Sequence, residues 1–337
     1  MPLGQLRSNE IIIMDNSAIV TFIIPVYNEA EVVPVFSREM SEMIEDANGN
    51  YRFEFLFIDD GSIDSTVESI RSEFRNFHHT ILSFSRNFGK EAALCAGIDH
   101  ADGDVVIIMD VDLQDPPALV PEFLQNWKAG FEVVYGVRHD RASDSWVKRK
   151  SASGFYSIFN MASDIKIPPH AGDFRLLDKS VVQALRKLPE RSRFTKGLYA
   201  WAGFKSKGVP YVRTERIRGD TKWSYWRLWN LAVDGLFSFS QRPLRIWAYI
   251  GATVSGLSLL FAASTVIKAL FFGIETKGYA SIMTAVTFLG GLQLLVLGIF
   301  GEYIGRLFIE TKGRPNYLVA KEWHRNPESE TEPSQTS

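Results

Sequence analysis

The chain has 337 residues, 46% of them hydrophobic and 23% charged, with 37 Lys and Arg against 39 Asp and Glu for a net charge of -2. This composition excludes a disordered, collagenous or disulfide-scaffolded chain, and nothing in the charge balance calls for nucleic acid as a partner. The single cysteine, Cys95, cannot form an internal disulfide or a cysteine zinc site, which suits a reducing compartment.

Residues 1–17 read as an extension whose apolar run, ended by Asp15, is too short for a signal peptide. From 18 to 213, short apolar runs alternate with amphipathic ones. AIVTFII, RFEFLFI, TILSF, DVVIIM and EVVYGV predict strands, and segments starting near Glu29, Asp64, Lys90 and Pro117 predict helices. That alternation predicts an α/β domain with a mostly parallel, Rossmann-like sheet covered on both faces and ligands bound at the carboxyl ends of its strands. No GxGxxG follows the first strand and no P-loop occurs, so dinucleotide and P-loop readings lose their main support.

The first strand ends in IPVYNE and the second in DDGSIDST. Local chemistry accounts for part of this: Pro25 ends a strand, Asp60-Gly61 makes a turn, and Ser62 or Asp64 caps a helix. It does not account for Tyr27, Glu29, Asp59 and Asp60 gathering at one sheet edge, where a ring and carboxylates can hold a base and ribose. The fourth strand runs into MDVDLQDPP. In an extended chain Asp110, Asp112 and Gln114 point to one side as oxygen ligands, a set suited to Mg²⁺ or Mn²⁺ with diphosphate oxygens and water completing the shell. Asp115, before two prolines, reads as a helix cap.

Between Arg213 and Arg245 basic residues outnumber acidic ones seven to three, interleaved with Trp223, Tyr225, Trp226 and Trp229. Segment 214–245 therefore predicts amphipathic, juxtamembrane structure at the headgroup layer. Residues 246–267 carry no charge, and neither do residues 279–301. Each run is long enough to cross a hydrocarbon core, and the short link between them makes a transmembrane hairpin. Arginines before the first run and after the second predict that the domain and both termini are cytoplasmic. Residues 302–337 read as a cytoplasmic tail, partly disordered at NPESETEPSQTS.

IPVYNE, DDGS, SRNFGKEAA, MDVDLQDPP and VVYGVR resemble glycosyltransferase family 2 with the GT-A fold. The runs KIPPHAGDFRLLDK, RFTKGLYAWAGF and RGDTKWSYWRLWN, followed by two spans, are similar to its polyprenyl-phosphate branch, nearest to bactoprenol glucosyltransferases and more distantly to dolichyl-phosphate mannose synthase. The resemblance implies that Pro25, Tyr27, Glu29 and Asp60 contact the uridine of a UDP-sugar, that Asp110, Asp112 and Gln114 hold the metal on its diphosphate, and that Arg138 lies near the phosphates. Lys90 either approaches the donor or is surface. Asp173, in AGDFR, matches the position often assigned as catalytic base, the alternative being that it orients the acceptor or Arg175. Arg216, Arg218 and Lys222 are implied for the acceptor phosphate; Arg149 is either a further contact or part of a solvated helix face.

The expected reaction is inverting, metal-dependent transfer of a hexose, glucose from UDP-glucose, to undecaprenyl phosphate at the bacterial cytoplasmic membrane. Other donors, GDP-mannose or an aminoarabinose, keep the same fold. Expected partners are a bilayer, a flippase and a second glycosyltransferase, and glycines in the spans leave room for a homo-oligomer. A transporter or flippase identity is disfavoured because neither span carries a charged residue.

Overall fold

The computed structural model describes residues 17–47, 51–138, 171–188, 190, 195–212 and 278–327, with seven helical positions between 253 and 271. Strand β1 (Ala18–Val26) turns Val20, Phe22, Ile24 and Val26 to one side and Ile23 to the other, and all five are buried. A strand apolar on both sides needs cover on both, and the remaining elements supply it. Helices α1 (Val33–Asp46), α2 (Thr66–Glu73) and α4 (Val120–Lys128) pack on the first face. Helices α3 (Lys90–His100), α5 (Lys179–Arg186) and α6 (Thr195–Ala202) pack on the second. Phe22, Phe55, Phe57 and Phe74 lie at the centre of the first layer and are fully or almost fully buried. Each such side chain stabilises the fold by roughly 1.5–3 kcal/mol.

The other strands are β2 (Tyr51–Asp59), β3 (His78–Phe84), β4 (Val105–Ile108), β5 (Val133–Arg138), β6 (Ala171–Asp178), β7 (Ser206–Tyr211) and β8 (Val319–Arg325). They form one sheet in the order β7-β5-β6-β4-β1-β2-β3-β8. Six strands run in one direction and only β6 and β8 oppose them, giving the mostly parallel sheet expected of a GT-A domain. The reversal at β6 matters for the site. Its start lies at the same sheet edge as the ends of β1, β2 and β4, and its register with β4, Ile108 opposite Arg175, continued by two residues, sets Asp173 across from Asp110.

Three local expectations change. Pro25 does not end β1 but lies within it, paired with Ile58. Pairing of β4 stops at Ile108, so nothing holds residues 110–115 extended; they form a turn in which Leu113 has φ 55°, and the strict alternation of Asp110, Asp112 and Gln114 does not apply. Asp115 is not the N-cap of the 3-10 turn at Pro117–Leu119, whose N-cap is Pro116 with no side-chain cap bond; the buried Asp115 carboxylate accepts a hydrogen bond from the Tyr211 hydroxyl on β7.

Helix α7 (Tyr279–Lys312) continues eleven residues beyond the uncharged run that ends at Gly301. At about 51 Å it is longer than a hydrocarbon core of about 30 Å. Among the described residues it contains the one helix segment, Leu289–Lys312, long and apolar enough to cross a membrane, and none of that segment's most apolar stretch is buried by the protein. In the first uncharged run Thr253, Val254, Leu257, Leu260, Ser264 and Ile267 are helical; the rest lies outside the described residues. After the left-handed cap at Gly313 the chain returns to the domain, where β8 pairs antiparallel with β3. Part of the expected tail is thus an edge strand of the catalytic sheet. Tyr317 stacks on Phe84 and donates its hydroxyl to Asp99 on α3, at 3.1 Å.

Candidate functional site

The ends of β1 and β2 are tied together by short local bonds. Asn28, at φ 55°, donates its N–H to the Ser62 hydroxyl and accepts from the Ile63 N–H, both at 2.9 Å, and the Glu29 N–H donates to the Thr66 hydroxyl at 2.9 Å. Gly61 sits at φ +72°, and a Cβ there would come 2.6 Å from the Arg86 carbonyl carbon, so this turn requires glycine. Tyr27 stands at the rim, 45% exposed, as a stacking ring requires. Asp59 is buried and accepts from the Ser62 N–H and the Ser83 hydroxyl.

Asp60 has both carboxylate oxygens occupied by backbone, the N–H groups of Phe88 (2.6 Å) and Gly89 (2.9 Å). Burial raises its carboxyl above the ordinary value, and those two N–H groups offset part of the shift. Asp60 therefore clamps the loop that opens α3, whose first residue is Lys90. Lys90 is not an idle surface residue: its Nζ lies 2.7 Å from Asp110 Oδ2 and 2.9 Å from Asp173 Oδ2. Burial acts to lower the Lys90 ammonium, but the two carboxylates override it and raise it well above the usual lysine range.

Asp173 is held from its other side as well, by Lys196 Nζ at 3.2 Å from Oδ1. Burial pushes its carboxyl upward, yet Lys90 and Lys196 together hold it far below the usual carboxylate range. Beneath it on the same face of β6, Arg175 is buried, donates to the Gly172 carbonyl at 2.7 Å, and lies 3.9 Å from the centre of the Tyr199 ring. Burial lowers the Arg175 guanidinium and raises the Tyr199 phenol from their ordinary values. Glu91, next to Lys90, accepts from both the N–H (3.0 Å) and the hydroxyl of Thr195, which joins the start of α3 to the start of α6.

The structure thus brings Lys90, Asp110 and Asp173 together and adds Lys196, Glu91, Thr195, Arg175 and Tyr199. Lys196 and Glu91 escaped the sequence reading. RFTKGLYAW offered one lysine among aromatics as the only hint, and Glu91 looks like an ordinary charge in the first turn of a helix. Asp112 is buried and accepts from the Gln114 N–H at 3.1 Å. Arg138 ends β5, in register with Tyr211. Arg149, Arg216, Arg218 and Lys222, with segment 214–245, lie outside the described residues.

Asp110, Asp112 and Gln114 carry side-chain oxygens of the kind a hard divalent ion takes, and one Asp110 oxygen is held by the Lys90 ammonium. Among the described residues no group of three or more His, Cys, Asp and Glu side chains is placed to hold a metal.

The model of glycosyl transferase family 2 matches residues 21–186, and a second, described as the GtrB C-terminal hairpin, matches residues 242–307. The SfII prophage-derived bactoprenol glucosyl transferase of Shigella flexneri is 46% identical over 309 residues, 91% of this chain and 99% of its own. A prophage bactoprenol glucosyl transferase homolog of Escherichia coli K12 is 45% identical over 303 residues, 90% and 98% of the two chains. An uncharacterized glycosyltransferase of Synechocystis is 45% identical over 304 residues, 90% and 95%. Among solved structures, glucosyl-3-phosphoglycerate synthase from Mycobacterium tuberculosis, in complex with Mn²⁺, UDP and glucosyl-3-phosphoglycerate, aligns with a TM-score of 0.42 at 16% identity, covering 66% of this chain and 78% of that one. A likeness that distant carries no argument about the site.

Proposed function

The chain belongs to glycosyl transferase family 2 and is a glycosyltransferase, and from that premise we propose that it transfers glucose from UDP-glucose to undecaprenyl phosphate at the cytoplasmic face of a bacterial membrane. The observation that carries this reading is the Lys90 bridge: one ammonium joins a carboxylate of the DVD turn to a carboxylate of β6, so the two halves of a transfer site meet at one point. The named relatives, similar over almost their whole length, supply the lipid and the sugar.

In this reading Tyr27 stacks on the uracil, with Pro25 and Glu29 beside it, while Asp60 contributes through the loop it clamps. Asp110 and Asp112, with Gln114, hold Mg²⁺ or Mn²⁺. Such an ion, when bound, neutralises the charge that grows on the departing UDP. Lys90 adds a fixed positive charge at the same place, and Arg138 ends its strand at the same edge. The acceptor oxygen attacks the anomeric carbon from the face opposite UDP, so one displacement inverts the configuration and an α-linked donor gives a β-linked lipid product. A phosphate monoester has its second pKa near ~6 and reaches the site largely as a dianion, so little proton removal is needed.

Helix α7 sits in the bilayer in this reading. Its Ile282, Leu294, Leu297 and Leu307 are exposed, and burial in lipid removes the cost of leaving them in water. The two-span hairpin, the basic collar carrying Arg216, Arg218 and Lys222, and Arg149 belong to the same proposal. So do a flippase and a second glycosyltransferase acting on the product, and a homo-oligomer packed through the spans.

The test is purified full-length protein in detergent with Mg²⁺ or Mn²⁺, undecaprenyl phosphate and radiolabelled UDP-glucose, GDP-mannose or UDP-aminoarabinose. Labelled lipid is expected from UDP-glucose and is expected to vanish with EDTA. No lipid product from any donor overturns the reading, and product from another donor alone corrects the sugar.

A further inference from the structure

Helix α6 is fastened to the site at three points along one face: Thr195 to Glu91, Lys196 to Asp173, and Tyr199 against Arg175. The middle contact is the informative one. Asp173 offers two oxygens, and each is taken by a different lysine, Oδ2 by Lys90 and Oδ1 by Lys196. A carboxylate whose two oxygens each hold an ammonium is a poor proton acceptor, because protonation has to break an ion pair first. The group it would serve as a base, a phosphate monoester, reaches it largely deprotonated.

The same geometry does suit another task. The side chains of Lys90, Lys196 and Asp173 remain 42%, 27% and 26% exposed, so the cluster is open to a ligand. The ammoniums of Lys90 and Lys196 match the carboxylates of Asp173 and Asp110, and the Arg175 guanidinium lies buried directly beneath. A lone Asp173 would repel an arriving phosphate; with its two lysines it presents a pair of donors at fixed spacing, the arrangement that binds phosphate oxygens.

We propose that Lys196, paired with Lys90, binds the phosphate of the acceptor lipid, and that Asp173 is the positioning residue that holds the two ammoniums in place. The assignment rests on the transfer to a lipid phosphate set out above. Phosphate at this point can also come from the donor diphosphate, and the two sources separate kinetically.

The experiment uses full-length protein in detergent, varying undecaprenyl phosphate and UDP-glucose independently. Lys196→Met is expected to raise KM for the lipid phosphate tenfold or more with KM for UDP-glucose within twofold, and Lys196→Arg to recover most of the loss. Asp173→Asn is expected to raise the lipid KM in parallel. A shift of the donor KM instead, an unchanged lipid KM, or loss of kcat beyond a thousandfold in Asp173→Asn at unchanged lipid KM overturns the proposal. UDP binding, measured by calorimetry, reports that each variant is folded. Farnesyl phosphate binding provides a readout independent of turnover: wild type binds and Lys196→Met binds at least tenfold more weakly, while equal binding overturns the role of Lys196. If wild type neither turns over nor binds any lipid phosphate, the transfer reading itself fails and Lys196 falls with it; an active wild type with an unaffected Lys196→Met removes Lys196 alone.

Discussion

The two sides of the site are built by different means. On the side assigned to the donor, the ends of β1 and β2 are shaped by backbone N–H groups bonded to short polar side chains, the Asn28 N–H on Ser62, the Ile63 N–H on Asn28 and the Phe88 and Gly89 N–H groups on Asp60, and by the left-handed Gly61. On the side assigned to the acceptor, β6, α3 and α6 are joined among the described residues by charged side chains, Lys90 and Lys196 on Asp173, and by the Thr195 N–H and hydroxyl on the Glu91 carboxylate. Side-chain assembly fails when one long side chain is lost. The joint between them is Lys90 on Asp110.

Breaking the donor side at its charge is expected to have the largest effect. Asp112→Asn removes one of two carboxylates from a shell that has none to spare, and turnover in the lipid-glucose assay falls by at least about 10³-fold; activity near wild type refutes the assignment. Lys90→Met cuts the joint: Asp110 loses its ammonium, and Asp173 keeps Lys196 alone of its two lysines. A fall in kcat of about 10²-fold is expected, and Lys90→Arg recovers part of it.

Gly61→Ala tests the backbone half alone. It forces an L-residue to φ +72° with its Cβ 2.6 Å from the Arg86 backbone, a cost of about 2–4 kcal/mol. The unfolding midpoint in urea drops, and the KM for UDP-glucose rises more than the KM for lipid; the reverse ordering breaks the proposed division of the site.

The smallest effect concerns the far end of β6. Asp178 caps α5 by accepting from the Ser180 N–H at 2.8 Å and also accepts from the Trp127 indole at 2.8 Å. Burial alone would raise its carboxyl, but the Ser180 and Trp127 bonds hold it below the ordinary value of 3.8. Its stabilisation is therefore complete above the unfolded value and is lost as pH falls through the folded one. Asp178→Ala costs about 1 kcal/mol at pH 6. Between pH 5 and pH 3 the urea midpoint of wild type falls further than that of the variant; parallel curves remove Asp178 as a source of acid sensitivity.

What could be read along the chain follows range. Five strands and the starts of four helices are visible because their signals repeat every two to four residues, whereas the DVD segment reads as extended and folds as a turn. Strands β6 to β8 were missed: β6 carries a buried arginine in its alternation, and β8 is an exposed edge strand rich in charge, so neither looks like a strand entering a core. Pro25 and Asp115 were read by local habit, and the sheet overruled both, pairing Pro25 with Ile58 and giving Asp115 to Tyr211, 96 positions away.

By itself the sequence determined the alternation of the α/β domain, the motifs at its strand ends, the family resemblance they carry, and two uncharged runs, all properties of residues close in the chain. Only the tertiary structure decided which charges meet. Lys90 and Asp173 are 83 positions apart, Glu91 and Thr195 104, and Thr80 of β3 meets His324 of β8 across 244. No local period encodes those distances. They close because β6 runs against its neighbours, bringing its start to the edge where β4 ends, and because α3 and α6 cover the same face.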